Sequence, residues 1–133
     1  MELKDIASVS GKSGLFRIVS PTRNGFLLES MDESKTKLVV PASQKISVLE
    51  EISIYVNTAE GTIPLKDVLV AVHKNFGGGL PVTHDADPKD LRKFMLQVLP
   101  DYDEARVYNS DIKKLVRWYQ IISNVAPEIL SAS

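Results

Sequence analysis

The chain has 133 residues, of which 44% are hydrophobic and 25% charged, and its formal net charge is −1. This balance is typical of a globular protein and lacks the basic excess of most dedicated nucleic-acid binders. The absence of cysteine excludes disulfides, thiolate metal sites and cysteine nucleophiles. The N-terminus does not read as a signal peptide and the apolar runs are too short for a bilayer, so we expect a cytoplasmic protein that does not enter a membrane.

The first half of the chain predicts short strands separated by turns. Apolar and β-branched residues predict strands at 14–19, 26–30, 37–40 and 52–56. Asn24-Gly25 predicts a hairpin turn between the first two strands, because both residues tolerate positive φ.

Strands this short and this closely spaced fit a small SH3-like β-barrel. Leu49-Glu50-Glu51 makes a poor strand and predicts a single helical turn, which SH3-like barrels also contain. An isolated curled sheet is marginally stable, so we expect Leu3 and Ile6 to pack on one open side of the barrel.

The second half changes to a helical period after Asn57. One helix begins near Pro64 and ends at Gly77, and a second has Asp87 as its N-cap and Pro88 inside it. Residues 101–104 predict a short helical segment, and Asn109 or Ser110 caps the last helix. Each of the three helices has an apolar stripe. In chain order these are Leu65, Val68, Leu69, Val72 and Phe76; Leu91, Phe94, Met95, Val98 and Leu99; and Ile112, Leu115, Val116, Tyr119 and Ile122.

These elements predict an α+β protein in which a small SH3-like β-barrel is followed by a small helical bundle. The predicted limits are 1–57 for the β part, 62–126 for the bundle and 127–133 for a C-terminal tail. Trp118, Ile121 and Val125 widen the apolar face of the last helix. That extra face either covers the β part or pairs with a second copy in a homodimer.

No catalytic or metal motif stands out, so we expect no enzyme activity, no bound metal and no cofactor. Residues 77–79 are three glycines, but a helix precedes them, which favours a helix end over a phosphate loop. His73 and His84 are the only imidazoles. His84 with Asp85 and Asp87 matches no recognised metal-ligand spacing.

Two segments are candidate interaction surfaces. Ser10, Gly11 and Lys12 open a flexible run to Gly14 that could hold an anion, although a plain turn is the more ordinary interpretation. A basic-aromatic cluster lies near the last helix, where a solvated helix face is the more ordinary interpretation. That cluster is Arg106, Tyr108, Lys113, Lys114 and Arg117.

The chain also resembles, over nearly its full length, a family of small bacterial proteins without an assigned function. The residues that carry the resemblance are Ser10-Gly11-Lys12 with Gly14-Leu15; Asn24-Gly25-Phe26 with Glu29-Ser30; Lys45-Ile46-Ser47 with Leu49-Glu50 and Ile52; Leu99-Pro100 with Tyr102-Asp103; Arg106-Val107-Tyr108; and Ser110-Asp111-Ile112-Lys113-Lys114 with Trp118-Tyr119. The resemblance implies a bacterial cytosolic protein with two linked parts, and it supplies no catalytic residues.

The sequence therefore favours a non-enzymatic binding or adaptor protein whose partner is another protein. The alternative is an RNA- or ribosome-associated protein, in which the basic cluster holds phosphate and Tyr108 stacks on a base. The near-neutral total charge counts against nucleic acid as the partner.

Overall fold

The protein is described by a computed structural model, which covers residues 1–77 and 79–131. An antiparallel five-stranded sheet is formed by the strands β1 (Ile6–Val9), β2 (Phe16–Thr22), β3 (Gly25–Ser30), β4 (Lys37–Pro41) and β5 (Ile46–Val48). Two further strands form a separate hairpin, and these are β6 (Ser53–Tyr55) and β7 (Thr62–Pro64). Single 3₁₀ turns lie at Leu3–Asp5 and Leu49–Glu51, the second as predicted.

The helices follow the strands, which confirms the α+β class. They are α1 (Leu65–Phe76), α2 (Pro88–Val98), α3 (Asn109–Val125) and α4 (Glu128–Ser131). Within the described ranges, no helix combines the length and the apolar character that a bilayer crossing requires.

The predicted closure into an SH3-like barrel is not confirmed. The strand order is β4-β3-β2-β1-β5, and no pairing joins the edge strands β4 and β5 in the described part of the chain. β5 has only three residues and runs directly into the 3₁₀ turn at Leu49–Glu51. The sequence predicts β6 as a strand of the barrel, but β6 pairs with β7, which follows it closely in the chain. The sheet is therefore open.

The β2–β3 hairpin forms where it was predicted, but for a different reason. Thr22 pairs with Gly25, so the turn residues are Arg23 and Asn24, and neither has a positive φ. Gly25 lies in β3, where an added Cβ atom would stand 1.9 Å from the carbonyl oxygen of Val40. The close approach of β4, rather than the turn, requires glycine at this position.

Two helix ends match the prediction. Gly77 ends α1 with a φ of +57°, and its N–H donates to the carbonyl oxygen of His73 at 2.8 Å. Gly78, the middle residue of the glycine run, lies outside the described residues. Asp87 occupies the N-cap position of α2 and Pro88 is its first residue.

The start of α3 and the segment before it differ from the prediction. Tyr108, not Asn109 or Ser110, is the N-cap residue, and its N–H donates to the carboxylate of Asp111 at 2.9 Å. Residues 101–104 form no helix, because Tyr102 pairs with Val56 in an isolated antiparallel β-bridge just after β6. The N–H of Asp103 donates to the carbonyl oxygen of Tyr55 at 3.0 Å, so this segment extends the β6–β7 hairpin.

Two hydrophobic cores hold the fold together. The small core consists of Val9, Phe16, Leu28 and Val40, on one face of the five-stranded sheet. The large core combines buried residues of the N-terminal part with the inward faces of all four helices. Its N-terminal members are Leu3, Ile6, Leu15, Met31 and Leu49.

The large core also includes the segment that the sequence analysis took as a C-terminal tail. Ile129 and Leu130 of α4 are buried in it. Residues 132–133 lie outside the described residues. The limits 1–57 and 62–126 stay a prediction, although the β6–β7 hairpin spans the predicted junction between them.

Candidate functional site

A groove of about 370 Å³ lies between the five-stranded sheet and α3. It brings together the two segments that the sequence singled out separately. The residues that line it are Ser8, Val9, Ser10, Gly11, Lys12, Ser13, Gly14, Lys45, Ser47, Lys114, Arg117 and Trp118. We call it the basic groove.

The loop from Ser10 to Gly14 forms one wall of the basic groove. Gly11 and Gly14 both have positive φ, near +83° and +84°, which glycine adopts without a steric penalty. The loop is fixed to the start of β5, because the N–H of Ser10 donates to the carbonyl oxygen of Lys45 at 3.0 Å. The side-chain amide of Gln44 also donates to the carbonyl oxygen of Ser10.

α3 forms the opposite wall. Lys114 and Arg117 are three residues apart and Trp118 is four residues after Lys114, so all three lie on one side of the helix. Lys114 and Arg117 are exposed, whereas Trp118 is half-buried and packs against the large core. The α3 wall therefore offers two cations and one aromatic ring to a ligand.

The groove has an unbalanced charge. Lys12, Lys45, Lys114 and Arg117 line it, and none of its lining residues is Asp or Glu. None of the four cations forms an ion pair with any carboxylate in residues 1–77 and 79–131. The whole chain carries a net charge of −1, so this positive charge is a local feature.

The remaining predicted site residues lie outside the basic groove. Arg106 lines an adjoining cavity, and its guanidinium lies 5.3 Å from the centre of the Tyr55 ring. Tyr108 is 64% exposed and lines a separate cavity with Arg92 and Tyr102. Lys113 is exposed on α3 and lines none of these cavities. Five of the eight predicted residues thus share one site, and these are Ser10, Gly11, Lys12, Lys114 and Arg117.

Sequence reasoning missed Lys45, Ser8, Ser47 and Trp118 as site residues. Ser8 of β1 pairs directly with Ser47 of β5, which places the two hydroxyl-bearing residues side by side. Neither strand was predicted. The alternation of apolar and polar residues at Ile46-Ser47-Val48 is a strand signal, but three residues are too few to stand out.

Neither histidine lines the basic groove. The Nδ1 atom of His73 lies 3.1 Å from the hydroxyl of Tyr119, and that hydroxyl donates to the carbonyl oxygen of Gly77. The Nε2 atom of His84 lies 3.5 Å from a carboxylate oxygen of Asp85. In the described ranges, no three His, Asp or Glu side chains come together as a metal-ligand set.

Two tyrosines of the large core differ in their hydrogen bonding. Burial raises the pKa of both Tyr119 and Tyr102 above the ordinary value for tyrosine, so both stay protonated at neutral pH. The hydroxyl of Tyr119 has the partners given above. The hydroxyl of Tyr102 is buried and has no hydrogen-bond partner among the described residues.

The chain belongs to the family described as Domain of unknown function (DUF6852), whose model matches residues 52–122, more than half of the sequence. A second model, Domain of unknown function (DUF5606), matches residues 3–49. Together the two models span almost the whole chain and confirm the resemblance to an uncharacterised family.

A solved structure supports the same assignment. It is the solution NMR structure of a protein from Bacteroides vulgatus, a target of the Northeast Structural Genomics Consortium. The two chains are 35% identical, with a TM-score of 0.76, over 94% of this chain and 88% of that one. No curated protein matches the sequence.

Proposed function

We propose that the protein is a non-enzymatic binding protein and that an anionic partner occupies the basic groove. The observation that carries this proposal is the meeting of Lys12, Lys45, Lys114 and Arg117 in one groove without a paired carboxylate in the described ranges. Like charges held close together repel each other, so folding alone does not favour this arrangement. A bound anion offsets that repulsion through charge-assisted hydrogen bonds.

The lining of the groove supports binding over acid–base catalysis. Its side chains are serine hydroxyls, lysine and arginine cations and one indole, and it includes no His, Asp or Glu. Those three residue types supply most general acids and bases. The groove also lies between the sheet and α3, where a partner contacts both halves of the chain at once.

Three finer expectations belong to the same proposal. The partner is a protein with an acidic surface, the protein acts in the bacterial cytoplasm, and the five-stranded sheet is an incompletely closed SH3-like barrel. The absence of cysteine supports the cytoplasm. The strand order with its 3₁₀ turn at Leu49–Glu51 supports the barrel relationship.

The test compares two charge reversals on adjacent residues of α3. Lys114→Glu changes the basic groove, whereas Lys113→Glu makes the same charge change outside it. Affinity capture from a bacterial lysate with wild type and both variants, followed by mass spectrometry, identifies any partner. We expect a partner retained by wild type and Lys113→Glu and lost with Lys114→Glu. Equal capture by all three proteins would remove the basic groove from the proposal.

RNA is a second candidate partner, and the same four cations favour it. Half or more of the contacts to nucleic acid go to phosphate and sugar, and phosphate contacts use Lys and Arg side chains. A gel shift of purified protein with total RNA at low salt tests this candidate. Binding that weakens steeply with added salt and with Lys114→Glu supports RNA, and the absence of a complex removes it.

A further inference from the structure

The basic groove does not end at Lys114. A second cavity of about 270 Å³ adjoins it and shares four lining residues with it, which are Ser8, Ser47, Lys114 and Trp118. The two cavities therefore form one elongated site along α3. Each has a volume at or near the lower end of the range for small-molecule sites, roughly 300–1,000 Å³.

The two ends of this elongated site differ in chemistry. Of these two cavities, only the first is lined by Lys12, Lys45 and Arg117, which makes that end cationic. Only the second is lined by Tyr55 and Val107, together with Arg106 and Asp111, so the other end offers aromatic and apolar surface beside one charge of each sign. Trp118 and Lys114 lie where the two cavities meet, so a ligand that fills both contacts a cation and a ring at its centre.

One carboxylate lies beyond the cationic end of the elongated site, and another lines its second cavity. Asp32 lines the cavity beyond Lys12 and Arg117, and Asp111 lines the far cavity beside Tyr55. Both are already satisfied within the protein, because Asp32 accepts hydrogen bonds from Ser30 and Ser34, and Asp111 accepts one from the N–H of Tyr108. A long polyanion that ran past the cationic end would meet the negative charge of Asp32, so the site favours a short anionic ligand.

We propose that the elongated site binds a free nucleoside phosphate, with the phosphate at the cationic end and the base against Trp118. This inference rests on the part of the proposed function in which the basic groove binds an anion, and it names a small ligand of that groove in addition to the protein partner. A phosphate group accepts hydrogen bonds from Arg117, from the lysines and from serine hydroxyls, and its charge matches several cations better than a single carboxylate does. A base stacks on an aromatic side chain because every base has a π face.

The experiment uses the full-length, ¹⁵N-labelled protein and follows amide shifts by NMR. The probes are inorganic phosphate, the common ribonucleoside monophosphates and triphosphates, single-stranded RNAs of two lengths and a polyglutamate peptide. We expect nucleotides to shift the amides of Gly11 and Gly14 and the indole N–H of Trp118. Lys114→Glu weakens nucleotide binding by about tenfold or more, as expected for a lost charge-assisted hydrogen bond. Lys113→Glu leaves it unchanged.

A substitution at Trp118 separates the two ends of the ligand. Trp118→Leu keeps an apolar side chain but removes the stacking surface. We expect it to weaken nucleotides by about tenfold, within the range measured for loss of base stacking, and to leave the affinity for inorganic phosphate unchanged. Thermal unfolding of each variant shows that it is folded before the titration is interpreted.

The remaining outcomes overturn the inference in distinguishable ways. Inorganic phosphate that binds as tightly as nucleotides shows that the base contributes nothing. RNA whose affinity rises with its length shows that the ligand is a polynucleotide and not a free nucleotide. Polyglutamate binding that depends on Lys114, without nucleotide binding, overturns the ligand class but keeps the proposed function. If no probe binds in a Lys114-dependent way, the nucleotide inference fails, and the capture experiment decides the proposed function separately.

Discussion

The small core and the large core are built from the same kinds of side chain but are enclosed differently. In the small core, Leu28 is fully buried, while its neighbours Ile18, Leu38 and Ile46 are only partly covered. In the large core, Leu69 is equally buried, and the members around it come from both halves of the chain. Leu28 and Leu69 are therefore equally buried, although the small core around Leu28 is the less completely enclosed of the two.

The difference shows where the N-terminal part obtains its stability. Among the described residues the small core has four buried members, and an isolated sheet with so little apolar burial is marginally stable in water. The N-terminal part also supplies Leu3, Ile6 and Leu49 to the large core. The sheet is thus stabilised mainly by what it shares with the helices.

Matched truncations of one leucine in each core provide the strongest test of this comparison. We expect Leu69→Ala to lower the free energy of unfolding by about 3–5 kcal/mol, because the helices around it cannot collapse into the cavity. Leu28→Ala should lower the free energy of unfolding by about 2–3 kcal/mol. The loss is smaller because the partly covered neighbours of Leu28 and the open sheet can relax into the cavity. Urea unfolding monitored by circular dichroism measures both.

The outcome also depends on whether the two cores unfold together. A single transition with an unchanged slope in both variants indicates one cooperative unit. Equal losses for the two variants, or a larger loss for Leu28→Ala, would show that the small core is the more tightly enclosed of the two and would reverse the comparison.

The sequence predicted the elements better than it predicted their partners. Helical periodicity located α1, α2 and α3 because each has a long apolar stripe, and Gly77 and Asp87 mark helix ends. β1, β5 and β7 have three or four residues each, too few for alternation to be visible. Without β7, nothing in the sequence indicates that β6 leaves the first sheet.

The two walls of the basic groove were predicted separately, because the sequence did not show which elements pack together. The Ser10–Gly14 loop and the α3 cations each stood out locally, but their meeting depends on the packing of the sheet against α3. Lys45 enters the groove only because β5 pairs with β1, and this long-range pairing leaves no signal in local sequence. Lys113 and Lys114 are both cations of the last helix, and only the fold distinguishes which one faces the groove.

Two Tyr→Phe substitutions in the large core should have smaller effects on stability, and comparing them separates the contribution of packing from that of hydrogen bonding. Tyr119→Phe removes a hydroxyl that donates to the carbonyl oxygen of Gly77, so we expect a loss of about 1 kcal/mol. Tyr102→Phe removes a buried hydroxyl without a partner in the described ranges, so we expect no loss or a small gain in stability. Urea unfolding of both variants under identical conditions makes the comparison.

Each tyrosine serves as the control for the other, because both are buried aromatic members of the large core. Equal losses would show that the Phe substitutions act through packing. A clear loss for Tyr102→Phe would indicate that water or another group satisfies its hydroxyl in solution.

The smallest expected change in stability comes from Asp32, in the connection between β3 and β4. Asp32 accepts hydrogen bonds from the hydroxyl of Ser30 and the N–H of Ser34, both at 3.0 Å, and from the N–H of Lys35, which has a positive φ of 46°. The hydroxyl of Ser34, followed by that of Ser30, lowers the pKa of Asp32 below its ordinary value of 3.8. Because the lowered pKa belongs to the folded state, the stabilisation is present above pH 3.8 and is lost as the pH falls through the folded-state pKa.

Asp32→Asn should therefore be less stable than wild type near neutral pH, and the difference should disappear in acid. Glu33→Gln is the matched control, since it removes one negative charge from the same connection without touching those hydrogen bonds. Urea unfolding of wild type and both variants from about pH 7 down to about pH 2 measures the effect through the range in which a carboxylate with a lowered pKa titrates. If Asp32→Asn and Glu33→Gln follow the same pH profile, the effect comes from net charge and not from the hydrogen bonds of Asp32. If Asp32→Asn instead broadens or splits the transition, the sheet near the β3–β4 connection unfolds separately, and the two cores do not form one cooperative unit.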